Sequence, residues 1–171
     1  DSSSRKQLTD FAHNTGEVRD PTWSADGRYI LFSLYDNGST RLYIYDFKVE
    51  QSQQIKLPFS HAIKPKFSAD SQHILVSDGD YLYRYDLTGK SLGKAVEVPA
   101  QYGVETQSGD ILFTNSRHAI WIKHHDTGVE EMLVNDIKLA RSYAWLLVAK
   151  NAYHEGRIYY YKERLGDYRI S

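Results

Sequence analysis

The sequence predicts an all-β fold: a β-propeller of about four blades, each an antiparallel meander of short strands, forming an open arc or part of a larger propeller. Three observations carry this reading. First, Pro21-Thr22-Trp23-Ser24-Ala25-Asp26-Gly27, followed by Arg28-Tyr29-Ile30-Leu31-Phe32-Ser33, returns as Pro65-Lys66-Phe67-Ser68-Ala69-Asp70-Ser71, followed by Gln72-His73-Ile74-Leu75-Val76-Ser77. Second, the phrase Leu42-Tyr43-Ile44-Tyr45-Asp46 is answered by Leu82-Tyr83-Arg84-Tyr85-Asp86. Third, counted from Leu42, that phrase restarts at Leu82, Ile120 and Ile158, in steps of 40, 38 and 38 residues. A fixed period means that one supersecondary unit is being copied, and a period made only of short strand signals points to propeller blades.

In the first unit a strand covers Pro21-Trp23, and Ser24-Ala25-Asp26-Gly27 turns. Asp bonds its own backbone in such a turn, and Gly accepts positive φ at no steric cost. Tyr29-Leu34 extends, Asp36-Asn37-Gly38-Ser39 makes a hairpin turn, Leu42-Phe47 extends again, and Gln53-Leu57 is the outermost strand. The second unit turns at Ala69-Asp70-Ser71, extends over Ile74-Ser77, turns at Asp78-Gly79-Asp80, extends over Tyr81-Leu87 and leaves through Thr88-Gly89-Lys90. In the third, Gln107-Ser108-Gly109-Asp110 turns into Ile111-Thr114, Asn115-Ser116-Arg117-His118 turns into Ala119-Lys123, and Asp126-Thr127-Gly128 turns again. Trp145-Leu146-Leu147-Val148 and Ile158-Tyr159-Tyr160-Tyr161 form a fourth pair. For Glu130-Lys150 strand is favoured over helix.

Tyr29, Ile30, Leu31, Phe32 and Leu34 leave little polar alternation, so their strand is buried on both faces. Blades stacked around an axis supply that burial. A single domain is expected over 1–171, with blades at roughly 18–60, 61–99, 100–136 and 137–171. Residues 5–9 are read as a closing strand or the outer strand of a preceding blade. Both ends read as cut from a longer array, or as fitted together to close one. An unclosed arc exposes strand edges and apolar faces, so self-association is expected.

The chain has 171 residues, 41% of them hydrophobic, enough for a real core. Tyr occurs 14 times, in keeping with strands. With 21 basic and 22 acidic residues the net charge is -1, and no basic patch stands ready for phosphates; nucleic-acid binding by this segment is not expected. No apolar stretch approaches a membrane span, and Asp1-Ser2-Ser3-Ser4-Arg5-Lys6 lacks a signal-peptide pattern. Cysteine is absent, which removes disulfides, thiol catalysis and thiolate metal sites.

No enzyme activity and no cofactor are expected: there is no Gly-rich phosphate loop and no calcium-loop spacing. Asp26, Gly27 and Asp70 are assigned to repeated turns, and Asp46 and Asp86 to ending a strand and setting the next turn. Metal binding is not expected: His124 and His125 are adjacent and face opposite ways on a strand. His118, His124 and His125 are instead candidates for pH sensing, because imidazole titrates near neutrality. The tyrosines serve blade packing first. Trp121, Tyr159, Tyr160 and Tyr161 are singled out as a candidate interaction surface, since Tyr and Trp favour interfaces.

Gln7-Leu8-Thr9 together with Trp23-Ser24-Ala25-Asp26-Gly27-Arg28-Tyr29-Ile30-Leu31-Phe32 resembles the TolB-like β-propeller repeat. Ala25 and Ala69 stand where that pattern usually has Pro, and Ser71 replaces Gly. Tyr102-Gly103-Val104-Glu105, Gly109-Thr114, Ile120-Trp121, Gly128-Glu131, Trp145 and Gly156-Tyr160 run in an order similar to the C-terminal, extracytoplasmic halves of winged-helix transmembrane transcriptional regulators of the CadC and ToxR type. The resemblance implies a periplasmic, non-catalytic sensory domain that binds a protein partner or small ligand through blade loops. DNA binding would belong to an N-terminal domain not included in the chain. Two alternatives stand beside it: a TolB-like periplasmic protein-binding scaffold, and the gating propeller of a prolyl-oligopeptidase-type peptidase.

Overall fold

The structure is a computed structural model and describes residues 7–8, 16–115 and 119–134. Among these residues every regular element is a strand. β1 (Glu17–Trp23), β2 (Tyr29–Asp36), β3 (Ser39–Asp46) and β4 (Gln51–Ile55) form one four-stranded sheet in chain order. β5 (Ile63–Phe67), β6 (His73–Ser77), β7 (Leu82–Asp86) and β8 (Ser91–Lys94) form the second. β9 (Tyr102–Glu105), β10 (Ile111–Thr114), β11 (Ile120–Lys123) and β12 (Glu130–Val134) form the third. All neighbours are antiparallel, so each sheet is an up-and-down meander.

The first strands β1, β5 and β9 lie side by side, and the sheets fan outward from them. This is the arrangement of propeller blades around an axis. The 137–171 unit, with Trp145 and Tyr159-Tyr161, lies outside the described residues, as does His118; of the 5–9 segment only residues 7–8 are described. Within Glu130-Lys150 the described part, up to Val134, is strand.

The second strand of each blade carries a run of four buried residues, as continuous apolar runs require. Leu31, Leu42, Ile44 and Ile55 of the first blade share a core with Phe67, Ile74, Val76 and Tyr85 of the second. Leu75 and Leu82 of the second blade join Ile111 and Phe113 of the third, with Ala95, Val96 and Ala100 of the connecting segment filling the wedge. Each fully buried aliphatic or aromatic side chain contributes about 1.5–3 kcal/mol, so these two joints hold the array together. Gly103 marks how closely β9 approaches the second blade: a Cβ there would stand 2.7 Å from Leu82 Cδ2. A side chain there would force Leu82 to shift and crowd Phe113 Cβ at 3.0 Å, so glycine suits this close approach.

Candidate functional site

The repeated Ser-Ala-Asp phrase builds one hydrogen-bonded turn twice. In the first blade Tyr29 N–H donates to Ser24 Oγ at 2.8 Å, the Ser24 hydroxyl donates to Asp26 Oδ1 at 2.6 Å, and Arg28 N–H donates to the same carboxylate at 3.0 Å. In the second blade His73 N–H donates to Ser68 Oγ at 3.0 Å, the Ser68 hydroxyl to Asp70 Oδ1 at 2.5 Å, and Gln72 N–H to Asp70 Oδ1 at 2.9 Å. The Ser24 hydroxyl, then the Arg28 amide, hold the Asp26 carboxyl below its usual range. Burial opposes the same effect at Asp70, yet the Ser68 hydroxyl and Gln72 amide still bring it down. Ser71 sits at φ 61°, where Gly27 and Gly109 sit at 73° and 86°. Its hydroxyl accepts a bond from Asp26 N–H across the joint at 3.3 Å, a contact glycine would lack.

Asp46 accepts Arg28 through both carboxylate oxygens, at 3.1 and 2.7 Å, and takes Lys48 N–H at 2.8 Å. Arg28 is the main reason its carboxyl titrates low. Asp86, its counterpart, accepts the Thr88 hydroxyl at 2.6 Å and the amides of Thr88 and Lys90. The Thr88 hydroxyl leads in lowering it.

The inner strands carry a second repeated feature. β1 is bulged between Arg19 and Thr22, and β5 between Ile63 and Lys66. At both places the residue before proline, Asp20 and Lys64, has positive φ, 51° and 43°. The residue before proline normally prefers extended backbone, so both are strained. Both are exposed. Lys64 Nζ stands 4.5 Å from the centre of the Tyr102 ring on β9. Burial lowers the Lys66 amine; Asp20 acts against this, and Lys64 adds to it. The inner ends of the first blades therefore gather charged groups of both signs with an aromatic ring.

Trp121 lies on β11, partly buried, its ring stacked on Phe113 with centroids 6.2 Å apart. Its Nε1 is buried and has no hydrogen-bond partner among the described residues. The side chain packs against the core of the second joint. His124 is partly buried, with Nε2 3.2 Å from Glu131 Oε1. His125 is exposed, its amide donating to Asp110 Oδ1 at 2.9 Å. The structure does not bring Trp121 and these histidines into one site. Among the described residues no three His, Asp or Glu side chains converge on one point.

Trp23 enters the sequence reading only as the end of a strand and part of the repeated phrase, without a role in a site. It closes β1 at the place taken by Phe67 in β5 and Glu105 in β9. Phe67 is 9% exposed, while Trp23 is 59% exposed, stacked on Phe47 at 5.1 Å with the rings 10° apart. A tryptophan before a turn reads as core in a repeat, and its exposure becomes visible only once the blades are placed.

No family model matches the chain. Over 67 residues it is 34% identical to the Tol-Pal system protein TolB of Nitratidesulfovibrio vulgaris, a match covering 39% of this chain and 15% of that protein. Among solved structures it is similar to TolB from Acinetobacter baumannii, with TM-score 0.57 and 24% identity over 79% of this chain and 36% of that one. A chain of a nidogen/laminin complex follows, with TM-score 0.54 and 13% identity over 70% of this chain and 48% of that one. An oligogalacturonate lyase solved with manganese gives 0.50 and 16%, over 70% and 38%. At these identities the structures share the fold, and the propeller reading stands on them. The chain spans well under half the length of either TolB.

Proposed function

We propose that this chain is a non-catalytic propeller segment that binds a protein partner, or a small ligand, at the inner ends of its blades. We further propose that it is the sensory, periplasmic part of a membrane-anchored winged-helix transcriptional regulator of the CadC and ToxR type. The observation that carries the binding reading is the repeated pre-proline bulge. It holds Asp20 and Lys64 in strained, exposed conformations near Lys66 and Tyr102. Strain kept at an exposed polar opening serves recognition better than packing. Similarity to TolB supports a protein-binding scaffold and a periplasmic setting. The regulatory half rests on the resemblance across Tyr102-Tyr160, with the fourth blade over 137–171 as its C-terminal part. His124, whose Nε2 stands 3.2 Å from Glu131 Oε1, is with His118 and His125 a candidate for an acid-responsive signal.

The test is made in the parent protein. Asp20→Ala and Lys64→Ala are expected to change the signal-dependent transcription it drives while leaving its abundance unchanged. An unchanged output with both variants would remove the inner-strand site. A coding sequence that places a signal peptide, rather than a winged helix and a span, before Asp1 would overturn the regulator. It would leave the second reading, a TolB-like scaffold without regulatory output, which the likeness to TolB favours on its own.

A further inference from the structure

We propose that the Trp23 side of blade 1 is a blade-to-blade joint, and that its occupant is a further blade of the same repeat, joined ahead of β1 in the parent protein and offering an apolar face. Matching repeat positions carry this, with Ser24-Ala25-Asp26 and Ser68-Ala69-Asp70 fixing the register. Ala62, Phe67 and Ile74 of blade 2 are buried in the core shared with blade 1. Their counterparts Val18 and Trp23 are 46% and 59% exposed, and Ile30 is half-buried. Pro65 is buried, and its match Pro21 is exposed. Blade 1 thus leaves open the surface that blade 2 closes against a neighbour. Each later inner strand docks on the blade that comes just before it in the chain: β5 on blade 1, and β9 on blade 2. Consecutive units pack side by side, so the blade that fits β1 is the one the chain enters it from. Gln7-Leu8 repeats Gln54-Ile55, the end of the outermost strand β4, as the last strand of such a blade does.

The two described joints show what the Trp23 position meets. Phe67 stacks with Tyr29 at 6.4 Å and shares a cluster with Ile44, whereas Glu105 pairs with Arg84. Trp23 is a ring, so the occupant presents an aliphatic or aromatic residue where blade 1 has Ile44, and not a cation as blade 2 does with Arg84. The ring is held flat for it, stacked on Phe47 at 5.1 Å, with Tyr45 edge-on to Phe47 at 5.0 Å. The charges around it offset one another. Glu17 pairs with Arg19 and Arg28 with Asp46, exposed Lys48 is followed by exposed Glu50, and Asp26 is held within its own turn. Charge therefore selects little on this face, and apolar burial defines the contact. Asp20 is not consumed by it: Lys64, at the matching position, stays exposed with blade 1 docked. The joint therefore goes beyond binding at the inner strands and does not depend on it.

Hydroxyl-radical footprinting read by mass spectrometry, on the full parent protein and on the 171-residue chain, tests it. Oxidation of Trp23 is expected to be about sixfold slower in the parent, as the 59% and 9% exposures of Trp23 and Phe67 scale, while Trp121 reacts alike in both. Trp23→Glu is expected to lower the melting temperature of the parent and to leave that of the 171-residue chain unchanged, because only a docked blade buries the new charge. The footprint needs no variant, so it decides the matter even where the charged parent fails to fold. Equal reactivity of Trp23 in the two proteins overturns the proposal. So does protection already present in the dilute 171-residue chain, which seats part of this chain on the face. Protection that grows with the concentration of that chain seats a second copy there and overturns it as well. A coding sequence with no further repeat ahead of Asp1 does the same. None of these outcomes bears on partner binding at Asp20 and Lys64.

Discussion

Glu105 and Arg84 form an ion pair across the joint between blades 2 and 3, at the place where Phe67 and Ile44 share an apolar cluster between blades 1 and 2. Repeat positions make the four residues equivalent: Glu105 and Phe67 end their inner strands, and Arg84 and Ile44 sit mid-way along β7 and β3. The Glu105 side chain is only 10% exposed, its other oxygen takes Ala69 N–H at 3.4 Å, and Arg84 Nε is buried with no partner among the described residues. At this one repeat position the fold thus uses dispersion in one joint and an ion pair in the other, beside the apolar core that both joints have. The charged joint carries a desolvation cost that the apolar one avoids.

Removing one partner should therefore cost more than replacing both. Glu105→Ala leaves Arg84 facing the joint alone and is expected to lose about 1–3 kcal/mol, less than for a fully buried pair because Arg84 keeps contact with water. The double change Arg84→Ile with Glu105→Phe copies the first joint and should return stability to wild type or above it. Urea denaturation of the single and double variants measures both. A double variant weaker than Glu105→Ala would mean that the two joints differ in shape as well as in chemistry.

Ser71 offers a separation of strain from bonding. In the left-handed region a residue other than Gly is disfavoured by about 1–2 kcal/mol, and here the hydroxyl returns part of this by accepting Asp26 N–H from the neighbouring blade. Ser71→Ala keeps the strain and loses the bond, so it should destabilise by about 1 kcal/mol. Ser71→Gly loses the bond and relieves the strain, so its melting temperature should stay close to wild type. Equal losses in the two variants would show that the hydroxyl, and not the backbone, dominates.

The three meanders were legible because turn residues bracket apolar runs at a steady spacing. Ser24-Ala25-Asp26-Gly27 and Asp36-Asn37-Gly38-Ser39 mark the ends of β2 almost unaided. The role of Glu105 was not legible. The third turn closes from Thr106 N–H to the Asp110 carbonyl, one residue shorter than Ser24 to Tyr29 or Ser68 to His73, and the slip hides the match with Phe67. Asp20 and Lys64 were hidden for another reason. A residue before proline normally extends, so their positive φ arises from the bulge and leaves no trace in the letters. Trp121 was singled out from residue type alone, and its stacking on Phe113 was not visible in the letters.

Acid should loosen the turns before the cores. Asp26, Asp46 and Asp86 all titrate below the ordinary carboxyl value in the folded chain, chiefly through Ser24, Arg28 and Thr88 respectively. A depressed folded pKa contributes stability that is complete above the unfolded value, near about 4, and is lost as pH falls through the folded value. Melting temperature is expected to be flat from neutrality down to about pH 5, then to fall. Asp46→Asn should lower the neutral plateau and flatten the acid limb. An acid limb of unchanged steepness in that variant would place the lost protons elsewhere.

Glu130 fastens the segment that leads from blade 2 into blade 3. Its carboxylate accepts Glu97 N–H at 2.8 Å and Val98 N–H at 3.0 Å, while Lys123 Nζ donates to the Ala95 carbonyl at 2.8 Å and stands 3.8 Å from Glu130. The outer strands of blade 3 thus reach back to hold the connection that positions the blade's inner strand. Two amide bonds to a charged acceptor, with the Glu130 side chain 10% exposed, are worth about 1.5–3 kcal/mol each when desolvated and less where water reaches them. Glu130→Ala should cost about 1–3 kcal/mol overall. Hydrogen exchange should locate the loss: the amides of Glu97 and Val98 exchange faster, while β2 and β3 of the first blade keep wild-type protection. Glu130→Gln retains one acceptor oxygen and should fall between wild type and Ala. Uniform acceleration across all three sheets would instead mean that the clasp stabilises the array globally, and that the blades unfold as a single cooperative unit.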